Sequence, residues 1–269
     1  MLKQRIITAL ILAPLAVWGI WSLSSPLFAL AMAVIVTMGG WEWARLSGLQ
    51  QRPGRSLYVA LLAALMYGCY LLLQQDSWAL VLLVLALMWW TLALMTVLSY
   101  PHSASLWQRA ASRGVAGICI LLPAWAAMAV LHRDFGAGYV ILLAMLVWGA
   151  DGGAYFAGRA LGKHKLAPRV SPGKTWEGVL GGVVLALVVA LVGSYWLQPG
   201  AGVVPFLLLV VVTVALSVLG DLVESLFKRI AGLKDSGGLL PGHGGVMDRI
   251  DSLTAAAPTF TLGMIWLSR

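Results

Sequence analysis

Long apolar runs recur along this chain at intervals a bilayer would set. They lie near residues 6–21, 27–41, 57–73, 78–98, 114–131, 138–158, 178–197, 203–222 and 252–268. A helix crossing the hydrocarbon core needs about 20 mostly apolar residues, with a range of roughly 17–25. Peptide groups in hydrocarbon must be hydrogen-bonded within their own segment, so such runs fold as helices. The expected fold class is therefore all-α, a polytopic integral membrane helical bundle of about nine transmembrane helices. The second run is short and is expected to be tilted or partly re-entrant. Composition agrees: 61% of the 269 residues are hydrophobic and 10% are charged, against about 25% charged in a soluble domain. No polar stretch between the runs reaches thirty residues, which leaves no room for a soluble domain.

Charge placement tests this helix count. Sixteen of the eighteen basic residues fall on one side of the expected membrane, and only Arg133 and Arg269 on the other. Loops rich in Lys and Arg face the cytoplasm, so the N-terminus is expected inside and the C-terminus outside. The net charge of +8 is explained by this rule, and no nucleic-acid partner is expected. The opening Met-Leu-Lys-Gln-Arg before an apolar run resembles a signal peptide, but Ser22-Leu-Ser-Ser-Pro26 follows instead of an Ala-x-Ala-like site. It is read as an uncleaved first helix. Trp18, Trp21, Trp41, Trp43 and Trp266 suit an interfacial belt, whereas Trp89 and Trp90 read as packing residues. Cys69 and Cys119 sit in separate apolar runs and read as small buried hydrophobes.

The ten acidic residues are distributed unevenly. Glu42, Asp76 and Asp134 each stand at or near an expected loop, where a solvated charge needs no further explanation. The other seven (Asp151, Glu177, Asp221, Glu224, Asp235, Asp248 and Asp251) crowd the expected cytoplasmic ends of the last four helices. Residues 1–135 thus read as transmembrane scaffold and 136–269 as a catalytic transmembrane region with cytoplasmic loops.

Asp151 lies within an apolar span, where a charge costs roughly 2.5–3.5 kcal/mol on insertion scales. Either it reaches water at a helix end, or it faces a polar cavity to which Gly149, Gly152 and Gly153 give room. Ser171-Pro-Gly-Lys-Thr-Trp-Glu177-Gly contains Gly-Lys-Thr, yet position 168, where a phosphate-binding P-loop needs its first glycine, is Pro, and no strand is expected before it. Lys174 can still serve as a point charge for phosphate beside Ser171 and Thr175, with Glu177 close by. Arg159, Lys163 and Lys165 are accounted for by an ordinary basic loop. Asp221 and Glu224 are three apart, as are Asp248 and Asp251, so each pair shares a helix face and offers oxygen ligands to magnesium. One such pair alone also fits a solvated helix end.

Between those pairs runs a polar stretch from Ser225 to Asp251. Lys228, Arg229, Lys234 and Arg249 suit phosphates, and Asp235, Asp248 and Asp251 suit a hard cation. Glycines at 237, 238, 242, 244 and 245 permit close backbone approach. His243 between glycines is either structural or a donor to a phosphate or a base.

This stretch resembles the signature of the phosphatidate cytidylyltransferase family, the CDP-diacylglycerol synthases. Ser225, Phe227, Lys228, Arg229, Lys234, Asp235, Gly237, Leu240, Pro241, His243, Gly244, Gly245, Val246, Asp248, Arg249, Ile250 and Asp251 all agree with it. Asp151-Gly-Gly-Ala-Tyr155, Ser171 to Gly178 and Gly220 to Ser225 resemble the family's other blocks. The resemblance is strong over roughly 140–265, and the front half matches only as a bundle of spans. It implies the conversion of CTP and phosphatidate to CDP-diacylglycerol and pyrophosphate in phospholipid biosynthesis. The cofactor implied is magnesium, with a monovalent cation left open. Implied catalytic residues are Asp221, Asp248, Lys228, Arg229 and Lys234. Ser171, Lys174, Thr175, Glu177, His243, Gly244, Gly245 and Arg249 would bind substrate, and Asp221, Asp248, Asp251, Asp151 and Glu224 would bind metal. The expected setting is the plasma (inner) membrane of a bacterium with the site on the cytoplasmic side, a homodimer being left open. A CDP-alcohol phosphotransferase is disfavoured because Ala and Arg do not follow Asp151-Gly152 at its spacing. A CTP-dependent polyprenol kinase would transfer the γ-phosphoryl group instead. A transporter would show inverted repeats, which the sequence lacks.

Overall fold

The computed structural model describes residues 14–238 and 244–269, and it is almost entirely helical. Helix α1 is described over 14–22, so the first half of the first expected span lies outside the described residues. The others are α2 (Ser25–Leu46), α3 (Arg52–Leu72), α4 (Asp76–Leu98), α5 (Ala110–Phe135), α6 (Ala137–Leu161), α7 (Trp176–Leu197), α8 (Val203–Ile230) and α9 (Met247–Leu267). A short 3-10 helix (His102–Trp107) precedes α5. Among the described residues, seven helices, α2 to α8, are long and apolar enough to cross a membrane. With α9 in the place of the last expected span, the chain is a multi-pass membrane protein.

The helices are longer than the apolar runs that foretold them. The second is 22 residues long, neither short nor re-entrant, because it continues through Trp41-Glu42-Trp43 to Leu46. Helix α8 continues eight residues past the expected boundary at 222 and carries Glu224 and Lys228 within it. In both cases the charges that ended the run in sequence are paired or hydrogen-bonded in the interior, so they do not end the helix.

Helix α5 is the axis of the bundle: 72% of its most apolar window is buried, against 17% for α3. It contributes to both core clusters, Leu121 joining Trp43, Leu226, Phe227 and Met247 in one and Leu131 joining Leu143, Phe206 and Phe260 in the other. Trp43 is fully buried, donates its indole N–H to the Arg113 carbonyl at 2.8 Å, and packs on Phe227. It is a core residue and not part of an interfacial belt. Trp18, Trp21 and Trp266 are exposed as that belt requires, and Trp90 is buried as a packing residue.

Between α6 and α7 the chain forms a hairpin of two antiparallel strands, β1 (Lys165–Ala167) and β2 (Ser171–Thr175), with Lys165 opposite Thr175. The Ser-Pro-Gly-Lys-Thr segment is therefore a strand ending at a helix start. It was not expected as a strand, since Ser, Pro, Gly, Lys and Thr in succession give no alternating apolar pattern. Thr175 caps α7 by accepting the Gly178 N–H at 3.1 Å.

Candidate active site

Helices α6 and α7 meet backbone to backbone. A Cβ at Gly153 would strike the Gly181 carbonyl, one at Gly182 the Ala150 carbonyl, and one at Gly181 the Ala157 side chain. Small residues of this kind allow close helix approach in membranes. The seam fixes Asp151 of α6 against the base of the hairpin. There α6, α7, β2 and α8 enclose a cavity of about 530 Å³, within the usual range for ligand pockets, roughly 300–1,000 Å³. Asp151, Arg159, Lys174, Thr175 and Asp221 supply its polar lining, and residues such as Ala150, Ala154, Val179, Val214 and Val218 the apolar part.

Lys174 crosses this cavity to α8, with its Nζ 2.7 Å from Asp221 Oδ2. Ser225 Oγ donates to Asp221 Oδ1 at 3.2 Å. One turn further along the same face of α8, Lys228 donates to Glu224 Oε2 and to Asp248 Oδ1, each at 2.7 Å. Asp248 also accepts the backbone N–H of Gly245 at 2.9 Å and of Ser236 at 3.2 Å. Asp251 stands next along α9, within electrostatic reach of Asp221 and Glu224. Gly220 makes that possible, since a Cβ there would meet the Asp251 carbonyl and Ala255. Asp151 faces Asp221 from the opposite wall.

Five carboxylates thus gather around two ammonium groups, and among the described residues no hydrogen-bond donor meets the buried Glu224 Oε1. An excess of hard oxygen donors with one left unsatisfied fits a divalent cation of the magnesium or calcium type. Among the described residues no three His, Cys, Asp or Glu side chains converge on a single metal position. A cation here would be completed by water or by a ligand's phosphates, as magnesium commonly is.

The structure brings together Asp151, Lys174, Thr175, Asp221, Glu224, Lys228, Asp248 and Asp251, with Gly245 holding Asp248. It does not bring in every residue expected from the sequence. Glu177 turns away to His164, whose Nδ1 lies 2.6 Å from Glu177 Oε1. Ser171 pairs with Ala167 at the far end of the hairpin. Arg229 Nε donates to the Val170 carbonyl at 3.3 Å and ties α8 to the hairpin. Lys234, Asp235 and Arg249 are exposed. Gly244 adopts a φ of 80°, a left-handed conformation suited to glycine. His243 lies outside the described residues.

Two contributors were not anticipated. Arg159, read as an ordinary loop charge, lines the cavity and donates to the Tyr155 hydroxyl at 3.1 Å. Glu42, read as solvated, is only 3% exposed. Its Oε2 accepts the Met247 N–H at 2.8 Å and the Ser236 hydroxyl at 3.3 Å. The signal in sequence was the pair of tryptophans flanking Glu42, which a solvated carboxylate does not need.

A model of the cytidylyltransferase family matches residues 3–266. The chain is 51% identical to a phosphatidate cytidylyltransferase of Pseudomonas aeruginosa, over 99% of this chain and 97% of that one. It is 41% identical to one of Haemophilus influenzae, over 97% and 98%, and 38% identical to one of Brucella suis, over 95% and 90%. These matches extend through the front half, beyond the blocks in which the sequence resemblance was strong.

Proposed function

The chain belongs to the cytidylyltransferase family, and from that premise we propose that it converts CTP and phosphatidate to CDP-diacylglycerol and pyrophosphate. The observation that carries this reading is the cavity between α6, α7 and α8. It joins an apolar wall suited to a lipid with the Lys174–Asp221 pair and the adjoining Glu224–Lys228–Asp248 cluster, which suit phosphates and a cation.

In the reaction an oxygen of the phosphatidate phosphate attacks the α-phosphorus of CTP. A new P–O bond forms, the bond to the β-phosphate bridge breaks, and pyrophosphate leaves with the electron pair. The attacking phosphate is already anionic near neutral pH, so no strong base is required. The barrier lies in bringing two polyanions together in line, which positioned cations lower. Lys174 and Lys228 stand within the carboxylate cluster, where each can exchange a carboxylate for a phosphate oxygen. Arg159, in the cavity lining, can donate to the phosphatidate phosphate. Thr175 keeps β2 and α7 in register beneath it.

Of Asp221, Asp248, Asp251, Asp151 and Glu224, one or two would hold magnesium, which when bound supplies positive charge to the phosphoryl and pyrophosphate oxygens. Catalysis is assigned to 136–269 and a mainly scaffolding role to 1–135. The excess of Lys and Arg on the side of the hairpin and the Ser225–Asp251 stretch supports a cytoplasmic site, and the bacterial relatives support the plasma (inner) membrane.

The test is turnover of purified protein in detergent with phosphatidate and CTP labelled at the α-phosphate, with and without magnesium. Label entering the lipid phase only with metal is the expected result. Label absent from lipid, with phosphorylation of a prenol from γ-labelled CTP, would overturn the reading.

A further inference from the structure

Helix α9 begins without a cap of its own: Val246 at its N-cap position offers no side-chain acceptor. The first N–H groups of a helix need partners, and here the acceptor comes from α2. Glu42 Oε2 takes the Met247 N–H and the Ser236 hydroxyl. The adjoining backbone groups, Ser236 N–H and Gly245 N–H, donate to Asp248. Gly237 and Gly245 pack directly on the Glu42 carboxylate, where a Cβ on either would collide with it. One buried carboxylate therefore holds both flanks of the loop whose backbone orients Asp248.

We propose that Glu42 is a positioning residue for the reaction, fixing Asp248 against Lys228 through Ser236, Gly245 and Met247. This rests on the role given to Asp248 in the proposed function. Among the described residues Glu42 is hydrogen-bonded to Ser236 and Met247 and Lys228 to Glu224 and Asp248, so Glu42 acts through the loop. Its reach is what matters, since Asp at this position would retain the charge and fall short of Met247, whereas Gln would retain both the reach and an acceptor oxygen.

The test compares E42Q, E42D and E42A for cytidylyl transfer, with thermal melting of each protein in detergent followed by tryptophan fluorescence. E42A and E42D are expected to lose roughly 10–100-fold in kcat, as removal of groups that orient catalytic ligands commonly does, while KM for CTP stays near that of the parent. E42Q is expected to recover most of the loss. In the D248N background E42A should add little further loss, because coupled residues are not additive.

Parent-like kcat in E42A, E42Q no better than E42A at equal melting temperature, or losses from E42A and D248N that multiply would each overturn the proposal. A fully active D248N would instead remove the role of Asp248 on which it stands. An active E42A beside an inactive D248N overturns the part of Glu42 alone.

Discussion

Lys174 Nζ stands 2.7 Å from Asp221 Oδ2, so the second strand of the hairpin is tied by charge to the middle of α8. The pair closes one side of the cavity, where Asp151 lies within electrostatic reach of both partners. K174A would remove the phosphate-binding charge and expose Asp221 to its acidic neighbours. Loss of one such preorganised group costs roughly 10²–10³ in kcat, and the same assay of label entering lipid would measure it. Activity within twofold of the parent would show that Lys174 only closes the fold.

Asp248 receives three donors: Lys228, Gly245 N–H and Ser236 N–H. D248N would retain the shape and lose the charge that holds Lys228 between two carboxylates. Turnover should fall by roughly 10–100-fold and stay low at saturating magnesium. Normal turnover under those conditions would contradict both the metal role and the ion-pair role of this residue.

Arg159 lines the cavity, bonded to the Tyr155 hydroxyl, where it can donate to the phosphatidate phosphate. A hydrogen bond to a charged group contributes about 1.5–3 kcal/mol, so R159A should raise KM for phosphatidate by about tenfold or more. Initial rates at varied lipid and fixed CTP would show this as a change in KM larger than that in kcat.

Gly237 and Gly238 are adjacent and meet different surroundings. A Cβ at Gly237 would run into the Glu42 carboxylate, while one at Gly238 would meet nothing within 4 Å among the described residues. G237A should destabilise the protein by about 1–3 kcal/mol, as overpacking does, and reduce turnover. G238A should stay within about 0.5 kcal/mol. Melting temperatures in detergent, measured side by side, decide the comparison.

Where apolar residues ran unbroken, as in α4, the sequence revealed the helix almost to the residue. Where a charge interrupted the run, the sequence misled, because a lone residue does not disclose its partner. Glu42 is satisfied by Ser236 and Met247, far away in the chain, so α2 was read as short and its carboxylate as solvated. The carboxylates of α8 and α9 were legible because their three-residue spacing declares a shared face. That Arg229 reaches Val170 and Glu177 reaches His164, each away from the cavity, depends on the hairpin, whose strands carry no periodic signal.

The packing of Gly237 and Gly245 against Glu42 has a consequence for how this protein can change over generations. Positions 42 and 236, 194 residues apart, share one steric and hydrogen-bonding requirement with the two glycines. A larger residue at either glycine needs a smaller one at 42, and a smaller residue at 42 leaves the start of α9 without its acceptor. Among relatives these positions are therefore expected to vary together or not at all, so the record of substitution at one predicts what the others can tolerate.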